Sequence, residues 1–585
     1  MQLITSNIRE TWPNNTDDIL FLGQWCIDQS QKISTPNVLS DPWSDRTNRI
    51  NASNYTNKVY ESLICDLAAV LNKTHSLNFD KRCWKIVIGQ WLKIFINSCY
   101  HNWCLNLKAT KEFSSLCSVR LKEKKNMFLP ENFEDFISLI VEDGWRYHIN
   151  VKIAENIGGI DLHESDTTLK EFKSNFFQKS KNSRPKASLK IYNKFANLIN
   201  FLLGSKISMH DSPITRNEKI LLALKLRTLP YIDHSFHLEN TDFPNQKSEL
   251  RSHNLTKDNS DQFENFIRRN ILNYIPKSYL ENFDLMNIEL KRYSWPDNPE
   301  QITSSQKHFS NDLFKIYCAK NIMNGAKLKI FTHGGGKCSY LYSDYYDHEN
   351  DIADSIFEWG SKKNSKISRP GYFPKKKIRN KNVENYCVLS MFDNWKHPVF
   401  ISPEPSYEQL LNSYLMDQLK FLKNLRTDIK KNIILKLGSE IDDDMYRNNL
   451  REKIQDFSGI KNFVSKSYSF DNLIAKSKIH IASYNATTIL QTIASDIPTI
   501  GFWDIDKFEI SPKVHDEFEI MYAAKILHKN PVSSAEHLNE IWDDTLSWWE
   551  DKETVSARLL FKELFCKSTN SISSEFKLFV CGNAD

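Results

Sequence analysis

Two stretches of this chain carry residues whose types and spacing suit chemistry. One is His333-Gly334-Gly335-Gly336-Lys337, which follows the apolar run Leu328-Lys329-Ile330-Phe331-Thr332. Three successive glycines expose backbone N–H groups and let a substrate come close to the main chain. A histidine beside them, with carboxylates at Asp344, Asp347, Glu349, Asp351 and Asp354 and a further histidine at 348, is the equipment for general acid or base work near neutral pH. A nucleotide P-loop is excluded, because Phe331 stands where its first glycine belongs and Cys338 follows the lysine. A lipase-type oxyanion loop needs a Gly-x-Ser-x-Gly elbow, which the chain lacks. The plainer alternatives are a turn histidine and the wet face of a helix whose dry face is Ile352, Ala353, Ile356 and Phe357.

The other stretch runs from Asp471 to Asp504. Ile479-His480-Ile481-Ala482 reads as a strand, Ser483-Tyr484-Asn485 as a polar turn, Thr487 to Ser495 as a helix, and the chain from Pro498 to Phe502 as a buried strand. Such a unit makes a parallel pair with a right-handed crossover and leaves the loop at the carboxyl end of the first strand. N–H groups at the helix start, with the dipole behind them, attract phosphate or carboxylate. Ser483, Asn485, Thr487 and Thr488 can add hydrogen bonds. The competing reading is an ordinary helix cap.

Elements must hold these loops in place, and the length of 585 residues allows two or three domains. A net charge of +5, spread along the chain, does not favour nucleic acid. Eleven cysteines form no Cys-x-x-Cys pair, which suits a reduced, cytoplasmic protein. Met1 to Arg9 lacks the pattern of a signal peptide, and Trp84 to Leu107 is interrupted by Lys85, Gln90, Lys93, Asn97 and His101, as in a helix buried in protein.

In order, the pattern predicts a strand at Ile19 to Leu22 ending at Gly23-Gln24-Trp25-Cys26, and helices from Lys58 to Lys73, Trp84 to Leu107, Phe133 to Val141 and Leu189 to Leu203. The polar stretches 165–187 and 239–262 read as surface loops. Nine Lys or Arg and no acid between Lys362 and Lys381 read as a basic linker, with attraction to anionic lipid as the sharper alternative. Beyond it, strands at 386–391, 433–437 and 463–464 alternate with helices at 406–422 and 445–455, a Rossmann-like domain of parallel strands. Helices with Trp542, Trp548 and Trp549 close the chain and are expected to pack back on its body.

The chain resembles, nearly end to end, a bacterial family of transferases encoded with O-antigen and other surface-polysaccharide genes. The resemblance rests on Thr11-Trp12-Pro13, Phe21-Leu22-Gly23-Gln24-Trp25-Cys26, Leu71-Asn72 with His75, Trp84 with Gly89-Gln90-Trp91-Leu92, and His333-Gly334-Gly335. It continues through Ile352-Ala353-Asp354 with Trp359-Gly360, Tyr484-Asn485-Ala486-Thr487-Thr488, Pro498-Thr499-Ile500 with Trp503, Ile526-Leu527-His528 and Trp548-Trp549. That family looks like GT-B glycosyltransferases, which implies an α/β fold with two Rossmann-like domains facing a cleft and, here, a helix-rich N-terminal half. The implied division is residues 1–360 on the acceptor side, 361–382 as the basic linker, 383–530 as the donor-binding domain and 531–585 as closing helices.

The implied reaction moves a sugar from a nucleotide sugar to a glycan or lipid-linked acceptor of surface polysaccharide. Peripheral contact with the inner membrane is a further expectation, and no cofactor or metal is implied. His333 would be general base or acid, oriented by Asp354 or Asp347. Gly334, Gly335, Lys436, Ser483, Asn485, Thr487 and Thr488 would bind the donor, and Gly23, Gln24 and Trp25 would face the acceptor. At Lys436-Leu437-Gly438-Ser439 the chain departs from the family pattern, where an arginine and a His-Pro pair belong; lysine keeps the charge without the bidentate fork. Two other readings share the fold: a non-catalytic glycan-binding or assembly protein, and a nucleotide-sugar epimerase.

Overall fold

Strands that read as unbroken apolar runs need cover on both faces, the condition met in parallel sheets with helices packed on either side. The computed structural model describes residues 1–582 apart from 16–17, 28–35, 171–186, 233–245, 256–260, 364, 375–377, 379–381, 438–449, 461, 465–467 and 504–507. Its strands form three sheets, all parallel. The first has the order β2-β1-β3-β4, from β1 (Gln2–Ile4), β2 (Ile19–Phe21), β3 (Leu116–Lys122) and β4 (Ile160–Thr168). The second runs in sequence order through β5 (Ile207–Met209), β6 (Gln301–Ser304), β7 (Lys327–Phe331), β8 (Ser355–Phe357) and β9 (Ser368–Arg369). The third has the order β11-β10-β12-β13-β14, from β10 (Cys387–Met391), β11 (Ile433–Leu437), β12 (Ile479–Ala482), β13 (Thr499–Phe502) and β14 (Leu527–His528).

The second and third sheets are the two Rossmann-like units expected. The first sheet is additional; of its strands only β2 is apolar enough to stand out, whereas β4 reads Ile-Asp-Leu-His-Glu-Ser-Asp-Thr-Thr and is exposed along most of its length.

Helices α1 (Arg46–His75), α2 (Lys81–Glu112) and α3 (Asp143–Ile157) fill the N-terminal half. Both long helices start on an aspartate, Asp45 accepting from Asn48 N–H and Asp80 from Cys83 N–H. Helix α2 is buried nearly all round, as its sequence predicts, and packs against α1 and α3. Around the second sheet lie α4 (Ala187–Leu202), α5 (Arg216–Leu226), α6 (Asp312–Met323) and α7 (Asp344–Ile352). Because α6 and α7 also pack on α2, this helix and the second sheet share one apolar core that joins Leu63 and Trp91 to Ile302, Leu328 and Ile356.

The third sheet has its own core, with α8 (Leu415–Asn424), α9 (Thr487–Ala494), Trp542 and Trp549. The helix expected from Ser406 begins as a turn at Tyr407–Gln409 and a π segment at Leu410–Tyr414 before α8. Phe463 makes only an isolated bridge to Leu435, and the helix expected near 445–455 is described as Leu450–Ser458. Much of the polar stretches 165–187 and 239–262 lies outside the described residues. The basic segment after Gly360 supplies edge strand β9, and its Lys362 Nζ pairs with Glu517 at 2.6 Å.

The chain then returns to the second sheet. Helix α10 (Ile572–Cys581) stacks Phe576 on Phe331 with ring centroids 4.0 Å apart and sets it edge-on to Phe357. At its carboxyl end Lys329 Nζ donates to the carbonyls of Phe579, Val580 and Gly582 at 2.9, 3.0 and 3.0 Å, a cation placed where the helix dipole is negative. Phe576→Ala is therefore expected to lower stability by about 3–5 kcal/mol in urea unfolding. Leu578→Ala, at an exposed position of the same helix, should stay within about 0.5 kcal/mol of wild type.

Candidate functional site

Loops at the carboxyl ends of β7, β10 and β12 converge, the place where open parallel sheets bind ligands. They enclose a cavity of ≈ 330 Å³ whose walls include Gly334 and Gly335, Asp344 and Tyr346, the 394–407 loop, and Ala486 and Thr487. Helix α1 adds Arg49 from the N-terminal half.

The two stretches singled out in the sequence touch each other here. Gly335 N–H donates to Thr487 Oγ1 at 2.8 Å, and Tyr346 O–H donates to the Gly335 carbonyl at 2.9 Å. Asn485 Nδ2 donates to Ser339 Oγ at 2.8 Å, and Tyr340 O–H to the Asn485 carbonyl at 2.8 Å. A Cβ on Gly335 would stand 2.4 Å from Thr487 N and 2.6 Å from the Ala486 carbonyl carbon, so only glycine permits this approach. Gly334 and Gly336 have φ of +92° and +89°, the left-handed region that glycine enters without strain. Helix α9 has Ala486 in the cap position before Thr487, so no side chain caps its first turn.

Beneath the glycine loop Lys337 is buried and turned inward, its Nζ 2.6 Å from Glu349 Oε2, while His308 Nε2 lies 3.3 Å from Oε1. Against the cost of burial, Lys337 and His308 hold the Glu349 carboxyl below its usual range. Asp344, also buried, accepts from Asn97 Nδ2 at 2.6 Å and Ile401 N–H at 3.1 Å and faces Lys93 Nζ at 3.4 Å. The acidic run is thus divided, Asp344 and Glu349 being interior while Asp347 and Asp351 lie on the wet face of α7.

Glu404 is the wall residue that sequence reading missed. Ser402 Oγ donates to its Oε2 at 3.1 Å, and Tyr340 Oη stands 3.2 Å from its Oε1. The single Tyr340 proton is thus shared between the Asn485 carbonyl at 2.8 Å and Glu404 Oε1 at 3.2 Å. Burial pushes the Glu404 carboxyl up from its ordinary value, against the lowering effect of Ser402 and Tyr340. Its backbone is fixed by Arg49, which donates to the Glu404 carbonyl at 2.9 Å and forms a buried ion pair with Glu509 at 2.7 Å. Arg46 and Tyr342 reach the same Glu509 carboxylate at 3.4 and 3.2 Å. Pro403-Glu404-Pro405 in a long irregular loop carries no recognisable motif.

Several expected site residues are placed elsewhere. Asp354 pairs with Arg82 at 2.6 Å and accepts from Leu328 N–H at 2.8 Å. That is the amino end of β7, five residues and so roughly 16 Å of extended chain away from His333 at about 3.3 Å per residue, so it cannot orient the histidine. His333 itself is exposed and not part of the cavity wall. Asp347 reaches the surface at the start of α7, its carboxyl pushed up to about 6 by the packing around it and by the Asp344 charge.

Ser483 is buried, its hydroxyl donating to the Ser390 carbonyl at 2.9 Å and paired with Tyr414 Oη at 2.6 Å, so it holds the fold and not a ligand. Thr488 Oγ1 is buried beside Tyr484. Lys436 lies outside the cavity wall, its Nζ 5.9 Å from the Phe470 ring centre, and Gly438 and Ser439 fall outside the described residues.

Trp25 is fully buried, with the Arg146 guanidinium 3.8 Å above its ring and its indole N–H donating to the Thr5 carbonyl at 3.4 Å. The buried Trp25 ring fills the space next to Gly23, and Gln24 is half-buried in the same short turn; none of the three lines the cavity. Among the described residues no group of three or more His, Cys, Asp or Glu is placed to hold a metal ion, and no helix is long and apolar enough to cross a membrane.

A family model described as LIC12162 family transferase matches residues 1–579. No curated protein matches the chain. Among solved structures it is similar to S. aureus MnaA in a co-structure with UDP, at 12% identity and TM-score 0.33 over 68% of this chain and 95% of that one. It is similar to Acinetobacter baumannii MurG at 10% identity and TM-score 0.28, over 67% and 95%. A third is SsfS6, a Streptomyces sp. SF2575 glycosyltransferase, at 9% identity and TM-score 0.26 over 65% and 94%.

Thr487→Val keeps the shape of the side chain but strands the Gly335 N–H, and should cost about 1–3 kcal/mol in stability; Thr487→Ser keeps the acceptor and should melt near wild type. Glu404 gives a pH signature. Its folded value is raised, so the stability it contributes is present below the unfolded carboxyl value of about 4.3 and is lost as pH rises through the folded value. Glu404→Gln removes that loss, and melting curves from acid to neutral pH should show the variant gaining on wild type as pH rises.

Proposed function

We propose that this chain, which belongs to the LIC12162 family of transferases, moves a sugar from a nucleotide-activated donor to a glycan or lipid-linked acceptor of surface-polysaccharide type, in the GT-B manner. One observation carries the reading: a glycine loop, the uncapped start of a helix and a carboxyl group of raised pKa share one cavity between two parallel sheets.

The donor's phosphates meet the first turn of α9 and the main chain at Gly334. Negative charge that develops on the departing nucleotide is stabilised by fixed N–H groups and the helix dipole, in a site partly shielded from water. Glu404 takes the proton of the attacking acceptor hydroxyl as that oxygen bonds to the sugar carbon and the sugar–phosphate bond breaks. A carboxyl raised toward the working pH is a stronger base than an ordinary one and still ionises in time to act. The role of base thus passes from His333, on the exposed turn beside Gly334, to Glu404. Asp344 and Arg49 act as positioning residues, since both hold backbone of the 401–404 segment.

Purified protein incubated with UDP, GDP and CMP sugars, with and without a lipid-linked acceptor, tests the reaction. Glu404→Gln is expected to lower kcat by about 10²–10⁴-fold and to abolish the rise of rate with pH, while His333→Ala keeps most of the turnover. Loss of turnover in His333→Ala with Glu404→Gln unaffected would return the base to the histidine, and wild-type release of free sugar or of an epimer, without transfer, would sink the transferase reading.

A further inference from the structure

Helix α4 is mounted with its polar side inward. Asn193, Ala196 and Asn200, at i, i+3 and i+7, are the buried positions. Both asparagines bond to the backbone that follows α5: Asn193 Nδ2 donates to the Ile232 carbonyl at 2.6 Å and its Oδ1 accepts from Ile232 N–H at 3.0 Å. Asn200 does the same at Leu229, at 3.0 and 2.7 Å. The opposite side, at i, i+4, i+7 and i+11, carries Ile191, Phe195, Leu198 and Leu202, which are 67%, 54%, 56% and 68% exposed, with Phe201 beside them at 79%. A surface helix of a soluble domain normally has the reverse arrangement, and an apolar stripe this continuous marks a docking surface.

The charges around the stripe narrow the occupant. Lys190 and Lys194 flank it, α4 has no acidic residue, and exposed Arg227 caps the neighbouring α5. The one acid of α5, Glu218, accepts from Ser573 N–H at 3.3 Å and so is turned toward α10. A second copy of this chain docking through a twofold axis would set lysine against lysine across the seam. An anionic bilayer surface meets both features, accepting lysine at the headgroups and Phe, Ile and Leu side chains among the acyl chains.

We propose that α4 is a membrane-surface helix, by which the protein binds the face of an anionic bilayer without crossing it. The inference does not depend on the transfer reaction. In the basic segment after Gly360, Lys362 is paired and β9 is part of a sheet, while Lys375, Lys376, Lys377, Arg379 and Lys381 lie outside the described residues.

Co-sedimentation of the full chain with vesicles of phosphatidylcholine alone, and of phosphatidylcholine with phosphatidylglycerol, tests it. The wild type is expected to pellet with the anionic vesicles, and Phe195→Ser/Leu202→Ser to bind them at least tenfold more weakly with an unchanged melting curve. Lys190→Gln/Lys194→Gln should weaken binding to the anionic vesicles alone. Phe201→Ser, at the most exposed position, provides a second apolar variant should the double change alter folding. Wild type that stays in the supernatant with both vesicles, or apolar variants that pellet as well as wild type, would overturn the proposal. So would a wild-type dimer in sedimentation velocity that Phe201→Ser dissolves, since the stripe would then be a protein interface.

Discussion

Everything at the cleft follows from one close approach, the main chain of Gly335 against the start of α9. Main chain can lie on main chain only where no Cβ intervenes, and the nearest Thr487 atom is already where a Cβ contact would be 2.4 Å. This contact brings the carboxyl ends of the second and third sheets to a common wall. It also sets the Tyr340 hydroxyl between the Asn485 carbonyl and the Glu404 carboxyl, with its proton shared by the two.

A buried ion pair, Arg49 with Glu509, crosses the joint between the units, and Arg49 also donates across it to the Glu404 carbonyl. An ion pair in such surroundings adds little net stability, because desolvation offsets the attraction, yet removing one partner leaves an uncompensated charge and is costly. Such a pair therefore favours one relative placement of the units without making the joint especially strong. An apolar seam would tolerate sliding; a buried charge with a fixed partner does not.

What was legible in the sequence was what periodicity and loop chemistry encode locally. The runs at 479–482 and 499–502, the helix between them, the buried helix around Trp91 and the strand before His333 all stand where their patterns place them. The meeting of the Gly335 and Thr487 loops was implied by a cleft but not by either loop alone. Glu404 was invisible, since its raised pKa comes from burial by residues far away in sequence. Asp354 misled because nearness in sequence to His333 is not nearness in space: β7 separates them lengthwise. Ser483 and Trp25 misled because a polar or aromatic residue at a strand end serves the interior as readily as a ligand. The first sheet was missed because β3 and β4 alternate charged residues with apolar ones and are too polar to read as buried strands.

The return of α10 to the second sheet has a consequence for biosynthesis. Phe331 and Phe357 emerge from the ribosome well before Phe576, their cover, is made. At about 5–20 residues per second the interval is on the order of tens of seconds. During that time the second sheet is open on the face α10 will occupy, while Lys329 waits for the carbonyls it will cap. The second sheet is thus covered late, and the nascent chain presents an aromatic surface that chaperones, or a second nascent copy, can reach before α10 does.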